Sequence, residues 1–194
     1  MLKSPFGRKP GQFSAPAILS LRPEYQNMKK IALFLLLSAS LLAACSKKDE
    51  CGYAQSTTVA PASEVAAVEQ YLASKNITDA TKHPNGFYYK ITAPGTGSTP
   101  GMCSQIGILY KGQLTNGTIF DQTTNGQMRV FVLGELIAGW KLGIPLIKPG
   151  GGKIQLYLPP SLAYGASDVK DQQGNVIIPA NSVLIFEVEL VAMG

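Results

Sequence analysis

From Gly86 onward the chain is built of short runs rich in β-branched and aromatic residues: FYYKIT, IGILYKGQL, RVFVLG, KIQLYLP and SVLIFEVELVA. Such residues suit a pleated, half-buried surface, and the runs partly alternate in polarity. Turn-forming stretches divide them: PGTGSTPG, TNGT, KPGGG and ASDVKDQQGN. Within this half only the segment around Ala138–Ile144 suits a helix, and Pro145 ends it. Five or six antiparallel strands with one short helix on a sheet face predict an α+β domain over residues 86–194.

The part before Gly86 reads differently. Met28-Lys29-Lys30 is a basic start, and IALFLLLSASLLAA (31–44) is an apolar run too short for a comfortable membrane span. It ends in Leu42-Ala43-Ala44-Cys45, which resembles a bacterial lipobox, so 28–44 is expected to be a lipoprotein signal peptide and Cys45 the lipidated residue. Residues 1–27 fit no signal region and are expected to be an over-extended start. Residues 45–62 are Ser/Thr/Ala-rich without apolar period and predict a flexible tether. Its charged start, Ser46–Glu50, resembles surface-export signals of some lipoproteins and reads equally as a solvated spacer. From Ser63, a plausible N-cap, Val65, Val68, Tyr71 and Leu72 fall at helical spacing, so 63–85 is read as a helix and connector. That stripe needs a surface to cover, and its own domain is the first choice.

Charge excludes one class of function. Residues 1–44 hold six basic side chains against Glu24 alone, which accounts for the whole formal charge of +5. Residues 45–194 balance 11 basic against 11 acidic side chains, leaving no cationic footprint for phosphates. GGGK at Gly150–Lys153 is no phosphate loop, because Ile154 stands where a hydroxyl would be needed. His83, the single histidine, reads as an exposed loop residue without a ligand set, so no metal is assigned. Cys51 and Cys103 suit either a disulfide pinning the tether to the domain or two free thiols.

Four motifs occur in order: ILYKGQLTNGTIFD (108–121), VFVLGELIAGW (130–140), PGGGKIQLYLPPSLAYG (149–165) and VIIPANSVLIFEVELV (176–191). Together they resemble the FKBP family of peptidyl-prolyl cis/trans isomerases. The resemblance covers about residues 86–194. It implies an FKBP-like antiparallel half-barrel wrapped around one short helix, with the N-terminal helix preceding it. Carried over position by position, it implies Tyr110, Phe120, Asp121, Ile137 and Tyr164 as catalytic. Leu136, Trp140, Ile177, Ile178 and Phe186 would contact substrate. Trp140, the single tryptophan, would be the floor under a proline ring. Ile137 would act through its backbone N–H and Tyr164 through its hydroxyl, and Asp121 as an electrostatic group.

What the resemblance implies about activity is an isomerase acting on proline-containing chains, assisting folding of envelope or secreted proteins, with no cofactor or metal and with macrolides as candidate inhibitors. The expected place is the bacterial cell envelope, through a lipid anchor in the outer membrane, facing periplasm or surface. A binding module or chaperone with little turnover is the alternative. One departure stands out. Members often carry an arginine soon after the FD pair, whereas Gln122–Gln127 contain none. Arg129, at a position where some members have an apolar residue, would either replace that arginine or open the pocket's rim.

Overall fold

A computed structural model describes residues 51–194; the expected signal segment and Cys45 lie outside the described residues. Within 51–194 the order is a helix α1 (Ala62–Ser74), then β1 (Thr81–Lys82), β2 (Tyr88–Ala93), β3 (Gln105–Leu114), β4 (Ile119–Gln122) and β5 (Arg129–Val132). A short helix α2 (Ala138–Gly143) follows, flanked by single 3-10 turns. The chain ends with β6 (Gly152–Leu158), β7 (Val169–Lys170), β8 (Val176–Ile178) and β9 (Leu184–Met193). Seven strands form one antiparallel sheet in the order β1-β2-β6-β9-β3-β4, with β5 pairing β3 beside β4; β7 and β8 form a separate hairpin. The expected α+β architecture is present, with more strands than the five or six runs suggested.

Alternation positions the core. On β3, Ile106, Ile108 and Tyr110 point inward; on β6, Ile154, Leu156 and Leu158; on β9, Leu184, Phe186, Val188 and Leu190. All belong to one cluster, which α2 closes with Trp140 and Leu142. On the opposite face, Tyr157 and Ile185 would stand in water were it not for α1. Its Val68 and Leu72 cover them in a second cluster with Val183. The helical stripe of α1 is therefore spent on its own domain.

Three local expectations change. The N-cap of α1 is Pro61, whose carbonyl accepts from the Glu64 and Val65 N–H groups, so Ser63 sits inside the first turn. A proline fixes φ near the value that this position needs. Glu64 is turned away from its own helix and accepts from the Ser161 N–H at 2.8 Å. His83 is half-buried, stacked on Phe87 at 4.3 Å, and burial holds its pKa below the usual imidazole value. Residues 51–61 are docked rather than loose: Cys51 is disulfide-bonded to Cys103 with Cα atoms 5.7 Å apart, and Ala60 is 7% exposed. Asn85 holds this strap, donating its side-chain amide to Thr58 O (2.7 Å) while its own carbonyl accepts the Ala60 N–H (2.9 Å). GGGK is a turn: Gly150 and Gly151 take φ of +74° and +91° and their N–H groups close onto β9.

Candidate active site

The concave face of the sheet and α2 enclose a cleft of about 160 Å³. Its floor is Trp140, carried on the first turns of α2 and 4% exposed. The Tyr110 ring from β3 and the Phe186 ring from β9 meet the indole edge-to-face at 5.3 and 5.2 Å. Phe120 from β4 packs edge-to-face on Phe186 at 5.6 Å. These geometries suit the ring quadrupoles and lock each ring against its neighbours. Gly112 makes the last contact possible, because a Cβ there would meet the Phe120 and Phe186 rings at 2.6 and 2.8 Å. The Trp140 indole N–H is buried without a partner among the described residues.

One corner is polar. The Tyr110 hydroxyl donates to Asp121 Oδ2 at 2.5 Å. Arg129 Nη1 donates to the Tyr110 hydroxyl at 2.8 Å and lies 3.4 Å from the same carboxylate oxygen. Strand alternation on β5 brings Arg129 and Phe131 to the cleft and leaves Val130 in solvent. Arg129 thus partners the aspartate and also lines the rim. Burial first, and the Asp121 carboxylate second, push the Tyr110 phenol well above the ordinary tyrosine range. The phenol is therefore a donor at any ordinary pH. Burial raises Tyr164 as well, with Asp121 adding to it, although its side chain reaches solvent at 44% exposure.

The opposite rim is the turn before α2. Leu136 and Ile137 line the cleft there. Ile137 caps α2: its carbonyl accepts from the Trp140 and Lys141 N–H groups at 3.0 and 3.1 Å. Its own N–H enters no hydrogen bond among the described residues.

Eight of the ten residues expected to act or to bind substrate therefore meet at one cleft: Tyr110, Phe120, Asp121, Leu136, Ile137, Trp140, Tyr164 and Phe186. Ile177 and Ile178 do not line it. Ile178 is 3% exposed and part of the core, and Ile177 packs against that core from the β7–β8 hairpin. Both side chains serve packing of the hairpin, and Ile177 keeps part of its surface in solvent. Arg129, expected as partner of the aspartate or at the rim, lines the cleft, and so does Phe131, which was not assigned to it although the period-two signal of β5 carried it.

A model of the FKBP-type peptidyl-prolyl cis-trans isomerase family matches residues 97–191. FkpA of Aeromonas hydrophila, an FKBP-type peptidyl-prolyl cis-trans isomerase, is 38% identical over 127 residues, which cover 64% of this chain and 45% of that one. The chain spans about half the length of the curated relatives it matches. Among solved structures, a peptidyl-prolyl cis-trans isomerase of Pseudomonas syringae superposes with a TM-score of 0.57 at 30% identity, covering 71% of this chain and 98% of that one. FkpA from Escherichia coli gives a TM-score of 0.57 at 29% identity, with 90% and 74% covered. With sequence motifs, fold and comparisons in agreement, this chain belongs to the FKBP-type peptidyl-prolyl cis-trans isomerase family.

Proposed function

We propose that this chain is an isomerase of X-Pro bonds that assists folding of envelope or secreted proteins. The observation that carries this reading is the buried aromatic floor, Trp140 between Tyr110 and Phe186, beside the hydrogen-bonded carboxylate of Asp121. An X-Pro bond prefers trans by only about 0.5–1 kcal/mol, yet rotation faces a barrier of about 18–20 kcal/mol. That barrier is amide resonance, which draws negative charge onto the carbonyl oxygen. Twisting removes the charge separation, so an apolar cleft favours the twisted bond over the planar one. Proline would seat on Trp140, with Phe120, Phe131 and Phe186 as walls.

The polar groups orient and tune. The Ile137 N–H and the Tyr164 hydroxyl, neither hydrogen-bonded among the described residues, would hold peptide carbonyls and so fix the chain on which the bond turns. Asp121, held by Tyr110 and Arg129, places negative charge at the cleft. Beside the reacting carbonyl, that charge opposes the planar state with its negative oxygen and favours the twisted one. No proton moves and no bond is made. The motif Leu42–Cys45 supports a lipid anchor on Cys45 that would hold the domain at the bacterial envelope, in the outer membrane. The aromatic cleft also supports binding of macrolide inhibitors.

A protease-coupled assay of the full-length chain on Leu-Pro and Phe-Pro peptides tests the reading. Turnover well above the uncatalysed rate, blocked by a macrolide, is expected. Background turnover by folded protein that still binds the peptides would replace isomerase with proline-binding module.

A further inference from the structure

The strap 51–61 lies outside the span that matches the family, yet it ends against the cleft's rim. Tyr53 is the point of contact. Its ring lies so close over Gly134 that a Cβ at that glycine would run into the ring atoms. Its hydroxyl donates to Glu135 Oε1 at 2.6 Å. Gly134 and Glu135 lead directly into Leu136 and Ile137, the two rim residues. A second tie runs through the loop at Cys103: the Leu133 N–H donates to Ser104 O at 3.1 Å and the Gly134 N–H to Met102 O at 2.8 Å. The Cys51–Cys103 disulfide joins these two supports two residues from Tyr53. Strap, loop and rim turn therefore form one braced unit.

We propose that Tyr53 is a positioning residue of this site: it fixes the Gly134–Ile137 turn and thereby aims the Ile137 N–H into the cleft. The catalytic part of this inference rests on the isomerase reading; the structural part does not. A rim group that contacts the substrate carbonyl in both planar and twisted states contributes uniform binding, so loosening it raises KM and leaves kcat. A brace that only stabilised the domain would move neither constant in folded protein. The side chain is 40% exposed, so its truncation leaves the core intact.

The test uses the full-length protein with Tyr53→Ala, Tyr53→Phe and Glu135→Ala. Two readouts are taken: steady-state constants on a Leu-Pro peptide, and amide exchange of residues 134–137 relative to β9. For Tyr53→Ala we expect KM to rise roughly threefold with kcat unchanged, and rim exchange to quicken about tenfold while β9 exchange stays as in the parent. Tyr53→Phe keeps the ring over Gly134 and should restore most of both readouts. Glu135→Ala removes the other half of the hydrogen bond and should match Tyr53→Phe. Parent-like KM and rim exchange in Tyr53→Ala would overturn the proposal. Should the parent itself show no turnover, the isomerase reading falls alone, and the exchange data still decide whether Tyr53 braces the rim.

Discussion

Trp140 and Phe186, at the bottom of the cleft, are 4% and 3% exposed, whereas the Asp121 and Arg129 side chains at its corner are 44% and 52% exposed. The floor sits on α2 and β9 and belongs to the main core cluster. The corner sits on β4 and β5, which among the described residues pair only with β3, at the sheet's edge. The floor is thus shaped by the same packing that holds the domain together, and the corner is attached to it by hydrogen bonds that water can reach. A change at the floor should cost fold and function together. A change at the corner should cost function alone.

The sharpest way to break that contrast is Trp140→Ala. Burying a large aromatic side chain and losing it costs about 3–5 kcal/mol, and two edge-to-face contacts go with it. Denaturant unfolding should show that loss, and isomerase turnover should fall to background. A loss under about 1 kcal/mol would mean that the floor is not core.

Asp121→Val addresses the corner. Its charge no longer favours the twisted bond, so kcat/KM should fall roughly 100-fold. Stability should hold within about 0.5 kcal/mol, because the carboxylate reaches water. A large stability loss here would erase the difference between corner and floor.

Arg129→Met comes next, with kcat/KM down roughly tenfold at most and little change in stability. Titration sharpens the comparison. The Tyr110 pKa is raised in the fold, so its contribution to stability is complete below the ordinary tyrosine value and is lost only as pH climbs through the higher folded value. Tyrosinate absorbance should show Tyr110 unionised where a model tyrosine, near 10, is half ionised. Arg129 opposes that shift, so its removal should drive the phenol higher still. An unmoved titration would detach Arg129 from the corner.

Sequence carried the floor better than the corner. Trp140, Phe120 and Phe186 lie in contiguous motifs; β3 pairs with both β4 and β9 and so joins Phe120 to Phe186, and α2 sets Trp140 against Phe186. Arg129 was visible as a misplaced cation, but whether it pairs with Asp121 or opens the rim depends on side-chain direction on β5, which a period of two fixes only once the register is known. Ile177 and Ile178 stand apart from the cleft lining for a related reason: the β7–β8 hairpin packs them on the core. The strap's composition predicts a loose tether, with a Cys51–Cys103 disulfide only one of two alternatives, because its contacts are distant in sequence. Cys51 meets Cys103 across 52 residues and Tyr53 meets Glu135 across 82, and no local pattern reports such pairs.

Ile137 gives the smallest expected effects and divides backbone from side chain at the rim. Its φ of −57° matches the value that a proline ring imposes, and Leu136 before it is extended at ψ 170°, as a residue preceding proline must be. Its N–H serves no hydrogen bond among the described residues. Ile137→Pro therefore removes one donor from the rim at little cost to the fold. One neutral hydrogen bond is worth about 0.5–1.5 kcal/mol, so KM should rise roughly fivefold with stability unchanged. Ile137→Val keeps the N–H and trims one methylene from a half-buried side chain, and KM should stay within about twofold. If Val cost as much as Pro, the side chain and not the N–H would be what the rim offers. The rim would then belong with the floor, as packing surface, and not with the corner.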